Sequence, residues 1–238
     1  MHETPFCRSG LITLIIAASL TMPWGLAYGI QPYEDPSFEH VAQGPNQCGP
    51  TSFYMLFNHL GAHQVFQEAD LSEHPEDMAF YSFRVTRDTR ICTWVNGGSI
   101  TGTSWSMLKD AADRLHAPGA PASFFISELN PATTYATAKG ITERETRLMY
   151  LWRQYLMKNR AVIIHMRRKW YQPGHYLVLT GYDQATDTVY YADPNQGCAG
   201  EISRASFVRD SWYASPTNTS KGSRARWDGE WMGFAPRN

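Results

Sequence analysis

The sequence predicts an α+β fold, with helices first and an antiparallel sheet after them. Apolar residues recur at three- and four-residue steps through the middle of the chain, whereas its last third switches to short runs of β-branched and aromatic residues. The helical patterns precede the strand patterns instead of alternating with them, the order of α+β proteins and not of parallel α/β sheets. A hairpin-length connection between two of the strand-like runs suits antiparallel neighbours.

The first helix begins in "QCGPTSFYMLFNHLG", where Pro50 falls in the first turn and Phe53, Leu56, Phe57 and Leu60 share a face, with Gly61 as its stop. The stretch from "EADLSEHPED" to "WVNGGSITG" is mixed and loop-rich. "TSWSMLKDAADRLH" reads as a second helix, capped by Thr103 or Ser104 and ended by "APGAP". "TERETRLMYLWRQYLMKNR" is the clearest helix, with Thr142 as its cap and Glu145 three residues on in a capping-box arrangement. Strands follow at "AVIIHMR", "HYLVLTGYD" and "TVYYADP", the last two joined by "DQATD", and "EWMGFAP" supplies a terminal strand.

With 238 residues the chain has ample length for a core, and its 13% aromatic content and net charge of −1 exclude a disordered protein and argue against a general nucleic-acid binder. Arg8 followed by an apolar stretch from Leu11 to Leu26 and by Ala27-Tyr28-Gly29 has the layout of a secretory signal. The predicted organisation is a signal over 1–29 and one enzyme domain over 30–238, in an exported protein of the periplasm or the medium. An uncleaved N-terminal anchor is the alternative, since Glu3 offsets Arg8. No second apolar run is long enough to span a bilayer.

Signal removal takes Cys7 with it and leaves Cys48, Cys92 and Cys198. In an oxidising compartment two of three can pair. Cys48 has the special local sequence, so the economical assignment is a Cys92–Cys198 disulfide with Cys48 as a thiol; the sequence by itself does not fix the pairing.

A thiol in the first turn of a helix lies among unpaired N–H groups at the positive end of the helix dipole, which favours the thiolate and can also hold an oxyanion. A nucleophilic cysteine needs a base, and the base needs an orienting group. His175 starts one strand, Asp193 ends the next, and a hairpin brings the two to one end of the sheet. Gln43, five residues before Cys48, is the first choice of side-chain oxyanion donor, with Asn46 and Gln47 as competitors. Taken singly, a packed cysteine, a half-buried strand histidine and a turn-forming Asp-Pro are the commoner readings; their convergence points to catalysis.

"QGPNQCGPTS" followed by a helix, and "GHYLVLTGYD" followed by "YYADP", resemble the papain-like cysteine peptidases of the bacteriocin-leader-processing type and their relatives. "GTSWSMLKDAADRLH" is similar to a helix commonly found between those motifs. The resemblance runs from Gln43 to about Pro194. It implies a papain-like fold with the cysteine helix packed on the sheet, Cys48 as nucleophile, His175 as general base and acid, Asp193 as orienting carboxylate and Gln43 as oxyanion donor. It implies a peptide or protein substrate and no metal or organic cofactor. Relatives that process double-glycine leaders are the front end of a transporter, and this chain carries neither membrane spans nor a nucleotide-binding domain, so leader processing is not the expected task.

Two rival functions share the motifs. The same triad can pass its acyl group to an amine, making a transferase, or the fold can serve as an inactive binding protein. Elsewhere, His59 and His63 are four apart but Gly61 interrupts them and no H-E-x-x-H pattern is present. The cluster "HMRRKWY", His165 to Tyr171, reads as a basic loop that could rim a cleft and favour acidic substrates. Asn218-Thr219-Ser220 matches the glycosylation pattern, which has no meaning in a bacterial source.

Overall fold

The computed structural model describes residues 38–43, 48–60, 103–115, 129–168, 174–210, 212–213 and 224–236. In chain order the elements are α1 (Cys48–His59), α2 (Trp105–Leu115), β1 (Leu129–Thr134), α3 (Ile141–Gln154), a 3-10 turn (Leu156–Lys158), β2 (Val162–Arg168), β3 (His175–Asp183), β4 (Thr188–Asp193), β5 (Cys198–Ser203), α4 (Arg204–Arg209) and β6 (Ala225–Pro236). The six strands form one sheet in the order β1-β6-β2-β3-β4-β5. Every neighbouring pair is antiparallel. The α+β class and the helix-on-sheet arrangement hold.

The pleat of the central strands splits the core in two. Ile163, Tyr176, Val178, Met232 and Phe234 face α1 and α2. Val162, Ile164, Leu177, Leu179 and Trp231 face the other way, onto Leu148 and Leu151 of α3 and Phe207 and Val208 of α4. Strand β3 is buried along its whole length, which is why "HYLVLTGYD" reads as a continuous apolar run rather than an alternating one. Helix α1 is also buried: Gly49 to Asn58 are inaccessible, and Phe38 and Val41 of the lead-in join its core, with the Val41 N–H 3.4 Å from Met55 Sδ. The four-residue spacing of Phe53 and Phe57 puts their rings 4.4 Å apart, and Phe57 meets Phe234 of β6 edge-on at 4.9 Å.

Several local expectations are corrected. Helix α3 is entered through Gly140, which is extended and makes no side-chain cap; Thr142 lies inside the first turn, and Glu143 instead accepts the Lys139 N–H at 2.7 Å. That helix stops at Gln154, and a 3-10 turn with Asn159 at φ 53° ends the run. Of the two cap candidates for α2, Ser104 holds the place, since its carbonyl accepts the Leu108 N–H at 3.2 Å. The "DQATD" hairpin forms as expected, with Asp183 accepting from Ala185 N–H at 2.8 Å and from the Thr186 hydroxyl at 2.6 Å. Strands β1 and β5 carry weak strand signals because both lie at sheet edges, where Pro131 and Gly200 are tolerated and no residue is fully buried. Among the described residues no helix is long and apolar enough to cross a membrane. The predicted signal over 1–29, Gly61, Cys92, His63 and Asn218 lie outside the described residues.

Candidate active site

Cys48 is the first residue of α1, half-buried, with its sulfur against the start of β3. The His175 ring is hydrogen-bonded to the thiol, and the backbone N–H of Tyr176 points at the same sulfur. On the far side of the ring, His175 Nε2 lies 2.8 Å from Asp193 Oδ1, which leaves Nδ1 for the sulfur. The hairpin produces this meeting: β3 begins at His175, β4 ends at Asp193, and the two strands pair from Asp183 and Thr188 up to Val178 and Ala192.

Burial opposes ionisation of Cys48, yet the charge and hydrogen bond of His175 outweigh it and hold the thiol below its ordinary value. Burial likewise works against the imidazolium, but the Cys48 sulfur and the Asp193 carboxylate push His175 up to about 9. The two shifts describe one event, a proton passed from sulfur to ring, and both directions favour the thiolate–imidazolium form of the pair.

The turn after β4 builds the remainder. Asp193 Oδ1 accepts the Asn195 N–H at 2.9 Å, and the Asp193 carbonyl accepts from Gln196 and Gly197 at 3.0 and 2.8 Å. The Asn195 side-chain amide donates to the Tyr213 hydroxyl at 2.7 Å, which in turn donates to Asp193 Oδ2 at 3.1 Å. The Tyr213 ring stacks on the His175 ring, centroids 4.8 Å apart and 16° from parallel. Both Asp193 oxygens and one face of the imidazole are therefore fixed.

Gln43 is tied to the same turn, its N–H donating to the Pro194 carbonyl at 2.7 Å. Its side-chain Oε1 is buried with no hydrogen-bond partner among the described residues. The competing donors Asn46 and Gln47 lie outside the described residues.

A match to the model of the Peptidase_C39 like family covers residues 34–219. The chain belongs to that family. Among curated proteins none matches it. The family match carries a papain-like cysteine peptidase, with peptides as its substrate class, and spans every site residue named above. Cys48, His175 and Asp193, singled out from the sequence, are brought together in this Peptidase_C39-like chain, with Gln43 anchored beside them. Asn195 and Tyr213 were missed. Asn195 had a signal, since it follows Asp193 in "ADPNQG"; Tyr213 lies where no pattern marks it.

Other expectations fare differently. Cys198 opens β5 with its Sγ donating to Gln196 Oε1 at 3.6 Å, and Cys92, its expected disulfide partner, lies outside the described residues. His59 bonds through Nε2 to the Asn159 carbonyl at 3.0 Å and packs on Phe38, a structural role joining α1 to the end of the 3-10 turn. His165 and Arg167 lie on β2, as the strand read from "AVIIHMR" predicts and not in the basic loop read from "HMRRKWY", whose Lys169 to Tyr171 lie outside the described residues. His165, Asp228 and Glu230 gather potential ligand atoms within 4.8 Å. However, Arg167 pairs with Asp228 Oδ2 at 3.1 Å and Glu230 Oε1 at 3.2 Å, and Trp105 Nε1 donates to Glu230 Oε2 at 2.7 Å. A guanidinium already balances these carboxylates, so the group is an ion-pair cluster and not a cation site.

Proposed function

We propose that the protein is a cysteine peptidase that cleaves a peptide bond through Cys48, His175 and Asp193, with a thioester acyl-enzyme as intermediate. The observation that carries the reading is the hydrogen-bonded chain from a sulfur at the start of α1, through an imidazole, to a doubly anchored carboxylate. The Cys48 thiolate attacks the scissile carbonyl carbon. The oxygen takes up the negative charge facing the N–H groups of the α1 start and the Nε2 amide group of Gln43. As the C–N bond breaks, His175 gives its proton to the leaving amine, and the acyl group stays on sulfur as a thioester. Water then adds to the thioester with His175 taking its proton, the C–S bond breaks, and the carboxylic product leaves with the thiolate restored. Asp193 keeps His175 in the orientation both transfers need.

The deciding experiment is iodoacetamide alkylation of Cys48 against pH, in wild type and His175→Ala. Rapid labelling below pH 7 that the substitution abolishes is the expected result. Labelling that rises only near pH 8.5, the value of an ordinary thiol, in both proteins would remove the reading. Product analysis with and without an added amine separates hydrolysis from acyl transfer. The apolar stretch Leu11–Leu26 supports an exported enzyme with 30–238 as its working unit, and N-terminal sequencing of protein recovered outside the cytoplasm tests that.

A further inference from the structure

We propose that His165 is a second imidazolium of the active site, held as a cation by Asp228 and Glu230, and that its field across Gly174 keeps the Cys48 sulfur ionised. The inference rests on the reading of Cys48 as nucleophile. It makes His165 a positioning residue, since it touches neither substrate nor the reacting atoms.

The site is built by an irregularity in the sheet. Ile164 pairs with Trp231 and Met166 with Trp227, so three residues of β6, Asp228 to Glu230, oppose the single residue His165. Gly229 carries the excess chain at φ +93°, where a Cβ would lie 2.7 Å from that of Ala138. The bulge is pinned by Ala138 N–H to the Asp228 carbonyl at 2.7 Å, Arg147 to the Gly229 carbonyl at 3.0 Å, and Trp227 Nε1 to the Glu230 carbonyl at 3.0 Å. Its effect is to turn two buried carboxylates onto one ring: His165 Nδ1 lies 3.4 Å from Asp228 Oδ2 and 3.3 Å from Glu230 Oε2.

The other end of the ring faces the catalytic strand. A Cβ on Gly174 would lie 1.8 Å from His165 Nε2, so that ring edge occupies the space a side chain would need in the residue directly before His175. The segment Gly174-His175-Tyr176 thus meets His165 at its first residue and Cys48 at its next two, through the His175 ring and the Tyr176 N–H. Negative charge sits behind the imidazole at Nδ1, and its Nε2 edge is turned to Gly174, from where its charge reaches the sulfur.

The groups around His165 leave it the only cation that can act in this direction among those described. From β6 it meets Asp228 and Glu230; from its own strand Arg167 is half-exposed and engaged with both carboxylates. From β3 the Tyr176 ring lies 5.0 Å away, its hydroxyl donating to the Thr103 carbonyl at 3.1 Å and kept neutral chiefly by burial. From α2, among the described residues, it meets the uncharged Trp105 ring, edge-on at 6.3 Å. Burial would depress His165, but the two carboxylates overcome it and push the imidazole up to about 9. A purely architectural role explains this cluster poorly, because buried ion pairs contribute little that apolar packing would not supply.

The test is the pH profile of iodoacetamide labelling of Cys48 in the full chain, for wild type, His165→Asn and Glu230→Gln, together with the NMR titration of the histidine rings in wild type. The expected result is an acid limb displaced upward by about one pH unit in His165→Asn, with labelling below it about tenfold slower, and a smaller displacement in the same direction in Glu230→Gln. His165 should remain protonated to at least pH 8. An unmoved limb in both variants, or a His165 ring that titrates near 6.5, overturns the inference. If His165→Asn does not fold, Glu230→Gln and the ring titration decide it. Wild type lacking fast labelling below pH 7 overturns the nucleophile as well, whereas fast labelling in wild type and variants alike removes only the role of His165.

Discussion

At the scale of single residues, the state of Asp193 matters more than its presence. Its two oxygens accept from the Asn195 N–H and the Tyr213 hydroxyl and still face His175 at 2.8 Å. A carboxylate so engaged cannot turn, and the imidazole it orients cannot turn either, being stacked beneath Tyr213. Burial and the neighbouring Asp193 charge push the Tyr213 hydroxyl far above its ordinary value, so it stays a donor at every working pH. Tyr213→Phe keeps the stacked ring and removes one charged hydrogen bond, and should lower kcat about tenfold with KM little changed. Asp193→Ala removes the orienting group itself and should cost roughly 10²-fold or more. Steady-state kinetics on a cleaved peptide compare the two, and equal losses would mean that Tyr213 and not the carboxylate holds the ring.

Turns and bulges, rather than the regular elements, deliver the site. The turn from Asp193 to Gly197 joins β4 to β5, fixes the carboxylate, and ties down Gln43 through the Pro194 carbonyl. Gly197 sits there at φ +61°, and a Cβ would come within 3.0 Å of the Ala42 backbone nitrogen, next to Gln43. Gly197→Ala should therefore cost about 1–2 kcal/mol for the left-handed backbone and also slow acylation, because the lead-in carrying Gln43 must shift. Urea unfolding combined with single-turnover kinetics reads both; a stability loss with unchanged acylation would detach Gln43 from the chemistry. The same contrast explains what was legible. Cys48, His175 and Asp193 stand at a helix start, a strand start and a strand end, positions that local sequence marks. His165 acquires its meaning only from a bulge more than sixty residues away in β6, and Tyr213 from a ring contact across 38 positions, which no local pattern encodes.

For the molecule as a whole, the helix-then-strand order was enough to fix the class, but not that the sheet would be covered on both faces, because α3 and α4 reveal their partners only once β2 and β3 are placed between two cores. That double cover takes the centre of the sheet out of water and makes stability depend on the charges buried in it. His165 titrates near 6.5 in an unfolded chain and about 9 in the folded one. Between those values the folded protein holds a proton that the unfolded chain has released. Its contribution is therefore complete below about pH 6.5 and is lost as pH rises through about 9, with a slope of at most about 1.4 kcal/mol per pH unit. Urea midpoints measured from pH 6 to 10 should fall across this window in wild type and fall less in His165→Asn, which has no proton to lose there. Parallel slopes in the two proteins would mean that the ring is not kept charged by β6.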